Sequence, residues 1–293
     1  MSVLCLTANP TDSELDTQLV AAIQHETHGE INWLNHGVAC DLDLPDGIGA
    51  DEAVSILGAA LAGEKLDIVV QDKTTRRKKI LIADMDSTMI DQECIDELAD
   101  EIGVKAYVAD ITARSMNGEI AFEPALRERV ALLQGLDSSV IGRIVESRIT
   151  LASGGRELVS TMRANGAWTA LVSGGFNAFT SPLAARLGFD ENSANRLIEA
   201  DGRLTGKVAE PILGRAAKAE ALLRISATLG LTPDDAIAVG DGANDLDMLR
   251  LAGTGVALHA KPAVAAEAKV RIDHGDLTAL LYLQGYRQSE FVR

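Results

Sequence analysis

Two carboxylates stand one residue apart directly after an apolar run in this sequence. Residues 80–83 read Ile-Leu-Ile-Ala, and Asp84 and Asp86 follow with Met85 between them. Because side chains alternate faces along an extended backbone, both carboxylates can lie on one side and repel each other. A cation between them, or a proton on one of them, relieves the repulsion. Both conditions occur in phosphoryl transfer through an aspartyl phosphate, although a D-x-D pair alone could simply cap the next helix.

A serine and two glycines follow a second apolar run, at Ser173, Gly174 and Gly175. A helical pattern starts directly after them. A hydroxyl and unpaired backbone N–H groups at a helix N-terminus are suited to binding phosphate. The alternative interpretation is an ordinary tight turn between a strand and a helix.

Two later segments add charged and polar groups. Lys218 lies in a helical pattern, where most lysines are solvated surface charges. Asp241 ends another apolar run, Gly242 permits a sharp turn, and Asn244 and Asp245 open the next helix. Oxygen ligands of this kind are those that Mg²⁺ prefers, so the pattern predicts a magnesium site.

The elements that must position these groups are short apolar strands that alternate with helices. Uninterrupted apolar runs are typical of parallel strands covered on both faces. They lie at residues 80–86, 167–175, 235–242, 253–258 and 269–273. Open α/β sheets place their sites beyond the carboxyl ends of such strands, so we expect the motifs to meet at one sheet edge.

The first 75 residues differ in pattern and in charge, with thirteen Asp or Glu against two lysines. Their strand and helix patterns follow the order βαββαβ, which is the ferredoxin-like α+β arrangement. These elements are predicted at residues 2–8, 12–29, 31–34, 38–44, 50–63 and 66–71. The segment resembles ACT-like regulatory domains, and a structural or dimerising role fits it equally well. The basic run that follows, residues 72–79, is expected to be a solvated linker rather than a partner-binding segment.

Composition and charge argue against several classes of protein. The chain has 293 residues, of which 47% are hydrophobic, and this is enough for a substantial core. Its formal charge of −16 argues against nucleic-acid and membrane partners. The dispersed Cys5, Cys40 and Cys94 suit a reducing compartment, and the absence of a signal-like N-terminus predicts a cytoplasmic location. Neither H-E-x-x-H nor G-x-x-x-x-G-K-[ST] occurs, so zinc hydrolysis and P-loop chemistry have no supporting motif.

In chain order, D-x-D-S-T, S-G-G, a helical lysine and G-D-G-A-N-D resemble the four signatures of the haloacid-dehalogenase-like (HAD) superfamily. The resemblance covers residues 80–285. The segments M-N-G-E-I-A-F-E-P-A-L-R-E-R-V and S-G-G-F-N-A-F-T resemble its phosphoserine phosphatase family in particular. The resemblance implies a Rossmann-like phosphatase domain at residues 76–293, with a small helical cap inserted at residues 91–155. A regulatory domain at residues 1–75 would precede it.

The resemblance also implies an activity, the hydrolysis of O-phospho-L-serine to L-serine and phosphate, which is the last step of L-serine biosynthesis. Asp84 would be the nucleophile, and Asp86 the general acid and base. Mg²⁺ would be held by the Asp84 carboxylate, the Asp86 main-chain carbonyl and Asp241. The phosphate-binding groups would be Ser173, Gly174, Gly175 and Lys218, with Asn244 supporting them and Asp245 orienting Lys218.

In the cap, the resemblance assigns residues to the amino-acid head of the substrate. Glu93 would face its ammonium group and Arg129 its carboxylate, while Met116 and Phe122 would close the apolar side. From the residues alone, Arg127 is as good a candidate as Arg129, since both lie in the same helical pattern.

Two alternative functions stay open on the sequence. A related phosphotransferase that passes the phosphoryl group to another alcohol, such as homoserine, would carry the same motifs. A binding module with an inactive body is disfavoured because Asp84 is present. The sequence also leaves open the oligomeric state, a homodimer included, and whether an amino-acid effector binds the N-terminal domain.

Overall fold

A computed structural model describes residues 2–12, 14–45 and 63–293 of the chain. Its strands form a four-stranded sheet, a six-stranded sheet and a two-stranded hairpin. The helix predicted over residues 50–63 falls outside the described residues except for Gly63. Among the described residues, no helix is both long enough and apolar enough to span a bilayer.

The N-terminal sheet is antiparallel and has the strand order β2-β3-β1-β4, as expected for the ferredoxin-like arrangement. Its strands are β1 (Ser2–Ala8), β2 (Glu30–Asn35), β3 (Ala39–Asp43) and β4 (Leu66–Asp72). One face packs on α1 (Thr17–Thr27), and the opposite face joins the apolar core of the rest of the molecule. The four strands predicted here are confirmed.

Helix α1 is shorter than the helix predicted over residues 12–29. Asp16 accepts a hydrogen bond from the Gln18 backbone N–H at 2.8 Å, so the acidic residue caps the helix and no acidic residue lies in its first turn. The helix ends at Thr27 because His28 adopts a left-handed conformation, with φ at 54°.

The larger sheet is parallel throughout and has the order β12-β11-β10-β5-β6-β7. Its strands are β5 (Ile80–Ala83), β6 (Trp168–Phe176), β7 (Glu191–Asn195), β10 (Ala236–Gly240), β11 (Thr254–Leu258) and β12 (Val270–Ile272). The separate hairpin consists of β8 (Leu197–Ala200) and β9 (Arg203–Val208). The five predicted strands are confirmed. Strand β7 was not predicted because it is a polar edge strand, E-N-S-A-N, without an apolar run.

Helices cover both faces of this sheet and form the cap. The cap consists of α2 (Cys94–Asp100), α3 (Lys105–Met116), α4 (Phe122–Leu132) and α5 (Val140–Ser147). The remaining helices are α6 (Gly155–Ala164), α7 (Asn177–Leu187), α8 (Arg215–Leu229), α9 (Leu246–Leu251), α10 (Pro262–Ala265) and α11 (Ala279–Leu283). The Rossmann-like core with a small helical cap is therefore confirmed.

Strand β5 lies at the centre of the sheet, between β10 and β6. Its side chains are fully buried and alternate between two apolar layers, with Leu81 and Ala83 in one and Ile80 and Ile82 in the other. Because both faces are covered, the apolar run must end where the chain leaves the sheet. The residue at that point is Asp84.

The basic run at residues 72–79 is not uniformly solvated, so the expectation of a solvated linker is wrong for part of it. Arg76 and Lys78 are each only 9% exposed. Arg76 donates two hydrogen bonds to the fully buried Asp41 of β3, at 3.0 and 2.7 Å. Arg77 stacks over the Tyr286 ring at 3.8 Å. The run is partly buried because it passes between the N-terminal sheet and the C-terminal segment.

Removal of the Arg76 side chain should strongly destabilise the fold, since it leaves the buried Asp41 carboxylate without its partner. We expect Arg76→Ala to lower the free energy of unfolding by about 3–5 kcal/mol in urea denaturation. The matched control is Lys73→Ala, because Lys73 pairs with Asp43 at the surface at 2.5 Å. That exposed pair should contribute about 1 kcal/mol or less. Equal losses in both variants would contradict the assigned importance of the buried pair.

Candidate active site

A cavity lies between the carboxyl edge of the six-stranded sheet and the cap. Ten predicted site residues line it: Asp84, Asp86, Glu93, Met116, Phe122, Arg129, Ser173, Gly174, Gly175 and Asn244. Three apolar residues that were not predicted, Ile95, Leu126 and Phe176, complete its wall.

The two carboxylates of the D-x-D motif are held in a tight turn after β5. The Asp84 N–H donates to the Val239 carbonyl at 3.0 Å, and an Asp84 carboxylate oxygen accepts from the Met85 N–H at 2.7 Å. Asp86 accepts a hydrogen bond from the Cys94 N–H at 3.0 Å, so it also satisfies the first turn of α2. Asp86 therefore does cap the next helix, as one interpretation of the D-x-D pair expected, and its side chain also lines the cavity.

Lys218 is buried against the end of β5. Its ammonium lies 2.7 Å from Asp84 Oδ1 and 2.5 Å from Asp245 Oδ1, and the residue is 1% exposed. The expected contact between Asp245 and Lys218 is present. Lys218 does not itself line the cavity, but its ammonium contacts Asp84, which does. Its spacing from Leu222 and Ile225 places it on the apolar face of α8, a sequence signal for its burial.

These charges shift one another's pKa values. Burial, followed by the charge of Asp245, raises the pKa of Asp84 well above its usual range, and Lys218 opposes this rise. Burial lowers the pKa of Lys218, but the two carboxylates outweigh burial and the net shift is upward. Burial also raises the pKa of Asp86, against the hydrogen bonds from Cys94. The cluster therefore combines a fixed ammonium with a carboxyl group that retains a proton more readily than usual.

A group of carboxylates suited to a divalent metal ion adjoins the cavity. Carboxylate oxygens of Asp84, Asp241 and Asp245 lie within 4.8 Å of one another. Both oxygens of Asp245 are already engaged, by Lys218 and by the Gly242 N–H at 3.1 Å. Asp86 contributes no side-chain oxygen to this group, and its predicted contribution is a main-chain carbonyl.

Asp241 carries the clearest indication of a cation site. Among the described residues, both of its carboxylate oxygens are buried without a hydrogen-bond partner, as is Asn244 Oδ1. The nearest cationic group is Lys261, whose ammonium lies 3.6 Å from Asp241 Oδ2. Burial, with the charge of Asp245, raises the pKa of Asp241 to about 7. These oxygen ligands fit a divalent cation.

The serine and glycines belong to the end of β6 rather than to a separate turn. The Gly175 N–H donates to Ser173 Oγ at 2.9 Å, and the Asn195 side-chain amide donates to the Gly174 carbonyl at 2.8 Å. A Cβ on Gly175 would lie 2.8 Å from Asp86 Oδ2, and a Cβ on Gly174 would lie 2.8 Å from the Phe122 ring. Glycine is required at both positions because the neighbouring side chains approach so closely.

Glu93 and Arg129 bring an acidic and a basic side chain to the cap side of the cavity. Glu93 accepts a hydrogen bond from Ser87 Oγ at 2.7 Å, and burial raises its pKa well above the usual range, as does Asp86. Arg129 is 5% exposed, and no carboxylate in the described part of the chain forms an ion pair with it. Arg127, by contrast, lies at the surface and pairs with Glu210 at 2.6 Å. The two arginines, equivalent on the sequence, are thus distinguished by position.

Several supporting residues were not found from the sequence. Ser87, Thr112 and Asn195 hold Glu93, Arg129 and Gly174 in place through single hydrogen bonds. Polar residues of these types occur on many helices and turns, so their pattern gives no signal. Asn195 is the last residue of the unpredicted β7, and recognition of that strand would have placed it at the active edge.

Comparisons with known proteins agree with this arrangement. The haloacid dehalogenase-like hydrolase family matches residues 81–250. The phosphoserine phosphatase of Albidiferax ferrireducens is 47% identical over 210 residues, which is 70% of this chain and 89% of that protein. The phosphoserine phosphatase of Streptomyces coelicolor is 42% identical over 232 residues, covering 79% of this chain. The matched region spans only 56% of that longer relative.

Solved structures show the same architecture. A HAD family hydrolase from Salmonella enterica serovar Typhi has a TM-score of 0.84 and 30% identity, covering 97% of this chain and 98% of its own. A phosphoserine phosphatase with a phospho-aspartyl intermediate analogue has a TM-score of 0.67 and 40% identity, covering 70% of this chain and 98% of its own. Since the family match includes more than half of the sequence and the sheet edge carries all four motifs, the chain belongs to the haloacid dehalogenase-like hydrolase family.

Proposed function

We propose that this protein is a magnesium-dependent phosphoserine phosphatase, which hydrolyses O-phospho-L-serine to L-serine and phosphate. The observation that carries the proposal is that one cavity is lined by Asp84 and Asp86 together with Glu93 and the buried Arg129, which forms no ion pair among the described residues. The first pair suits phosphoryl transfer, and the second matches a substrate that bears both a carboxylate and an ammonium. The curated relatives named above support the same substrate.

The phosphoryl end of the reaction follows from the groups at the sheet edge. Asp84 attacks phosphorus, and the bond to the serine oxygen breaks as Asp86 gives that oxygen its proton. A water molecule then attacks the phosphorus of the aspartyl phosphate, the bond from phosphorus to the Asp84 oxygen breaks, and the proton of the water passes to Asp86, which restores both carboxyl groups. The raised pKa of Asp86 suits a residue that must hold a proton in the first step.

Binding of the phosphate requires positive charge and hydrogen-bond donors close to these carboxylates. Lys218 supplies a fixed ammonium at 2.7 Å from Asp84, and Ser173 with the Gly174 N–H supplies donors for the nonbridging oxygens. Gly175 contributes by leaving room beside Asp86, and Asn244 supports the same wall.

A bound Mg²⁺ would neutralise charge on the phosphate and orient it toward Asp84. The residues that would hold it are Asp84 and Asp241 through their carboxylates and Asp86 through its main-chain carbonyl. The unpartnered oxygens of Asp241 support this assignment. Asp245 remains with Lys218, since both of its oxygens are occupied.

At the cap side, Arg129 would bind the substrate carboxylate and Glu93 its ammonium, while Met116 and Phe122 close the apolar side.

We place the regulatory domain at residues 1–75 and the phosphatase domain at 76–293, with the cap at 91–155. A homodimer and an amino-acid effector at the N-terminal domain remain proposals to be tested. A cytoplasmic location and a role in the last step of serine biosynthesis belong to the same proposal.

Replacement of the proposed nucleophile should abolish turnover without unfolding the protein. Asp84→Asn removes the attacking oxygen charge, and we expect phosphate release from O-phospho-L-serine to fall at least about 10³-fold. Circular dichroism should show retained secondary structure. Asp110→Asn is the control, because Asp110 is exposed on α3 and its ion pair is with Arg114 on the same helix, at 3.7 Å. Retained turnover in Asp84→Asn would exclude Asp84 as the nucleophile.

Removal of the Arg129 guanidinium should weaken the binding of a substrate that carries a carboxylate more than that of a substrate without one. For Arg129→Ala we expect the KM for O-phospho-L-serine to rise about tenfold to hundredfold, from the loss of charged hydrogen bonds. O-phosphoethanolamine lacks the carboxylate, so its kinetic constants should change much less. Arg127→Ala is the matched control on the same helix. Equal loss on both substrates would refute the role of Arg129.

Substitution of Asp241 should weaken metal binding directly. We expect Asp241→Asn to reduce Mg²⁺ affinity by at least about tenfold in titration calorimetry, since it removes a charged ligand. Asp247→Asn is the control, because Asp247 pairs with Arg215 away from the cavity. Unchanged Mg²⁺ affinity in Asp241→Asn would place the metal site elsewhere.

A further inference from the structure

We infer that Thr112, supported by Asp96, is a positioning residue that aims the Arg129 guanidinium into the cavity and thereby sets the affinity for the substrate carboxylate. The inference rests on the proposed function, because it assigns a role in recognising the amino-acid head of the substrate. Neither Thr112 nor Asp96 lines the cavity, so both act through Arg129.

The hydrogen bonds of Arg129 leave part of its guanidinium free. Its Nε–H donates to the Ala125 carbonyl at 3.1 Å, and its Nη1 donates to Thr112 Oγ1 at 2.9 Å. A guanidinium carries five N–H donors, so these bonds fix its plane while leaving donors for an incoming carboxylate. Because Arg129 lines the cavity at 5% exposure, the free donors have little solvent to bind.

Thr112 is itself held from two sides. It lies on α3 at 3% exposure, and its hydroxyl is 2.9 Å from both the Val108 carbonyl and Asp96 Oδ1. Whichever oxygen receives its proton, the Thr112 oxygen faces Arg129 as an acceptor. The nearby Asp96 carboxylate increases the negative character of that oxygen, since hydrogen bonds in a chain polarise one another.

This arrangement connects three cap helices, α2 through Asp96, α3 through Thr112 and α4 through Arg129. A direct ion pair between Asp96 and Arg129 would neutralise the guanidinium and compete with the substrate. The interposed hydroxyl keeps the two charges apart, and no such ion pair exists among the residues that the structure describes. A preorganised guanidinium binds a carboxylate with less loss of side-chain entropy than a mobile one.

The test compares Thr112→Val, which removes the hydroxyl at nearly constant volume, with Thr112→Ser, which keeps it. For Thr112→Val we expect the KM for O-phospho-L-serine to rise about tenfold, with kcat changed less than about twofold. Kinetic constants for O-phosphoethanolamine should stay within about twofold of the wild type, since that substrate has no carboxylate. Thr112→Ser should restore the wild-type KM.

The outcomes separate this inference from the proposed function. If the wild-type protein hydrolyses p-nitrophenyl phosphate but not O-phospho-L-serine, the proposed function fails, and this inference fails with it. If the wild type hydrolyses O-phospho-L-serine, an unchanged KM in Thr112→Val overturns the inference alone. Equal loss on both substrates, or failure of Thr112→Ser to restore KM, would show a merely structural role. Should Thr112→Val not fold, Thr112→Ala is measured against the same expectations.

Discussion

The buried ammonium of Lys218 is the interaction on which the rest of the site depends. Asp84, Asp241 and Asp245 approach within 4.8 Å of one another in a region almost without solvent, and such a group of carboxylates would repel itself strongly. Lys218 bridges Asp84 and Asp245, so α8 must lie directly beneath the end of β5. Close packing there also requires glycine at position 240, where a Cβ would lie 2.3 Å from the Asp245 carboxylate. Lys218 thus offsets part of the repulsion among the buried carboxyl groups, while burial still raises the pKa of Asp84 and of Asp241.

The sheet order explains why distant motifs meet. Strands β10, β5 and β6 are neighbours and run parallel, so their carboxyl ends bring Asp241, Asp84 and Ser173 to one edge. This convergence follows from buried parallel strands, whose apolar runs are visible in the sequence. The fold and the motif residues at this edge could therefore be predicted before the structure was seen.

The parts that could not be predicted depend on contacts between segments far apart in the chain. Arg76 appears as one cation in a basic run, and only the packing of β3 against that run shows its pairing with the buried Asp41. Arg127 and Arg129 differ only in which side of α4 faces the cavity, a distinction that requires the positions of α3 and β9. Thr112 has no local pattern that indicates this role, because Asp96 and Arg129 lie on two other helices.

The two charged groups assigned to the substrate head are supported differently, and this difference bears on specificity. Glu93 is held by Ser87, which lies in the turn that also carries Asp84 and Asp86, so a change at Glu93 disturbs the catalytic turn. Arg129 is held by Thr112 and Ala125, entirely within the cap. Under the proposed roles, a change at Arg129 can alter recognition of the carboxylate without displacing Asp84 and Asp86, whereas a change at Glu93 also disturbs the turn that holds them. The proposed carboxylate side of the cavity is therefore the more separable determinant of substrate choice.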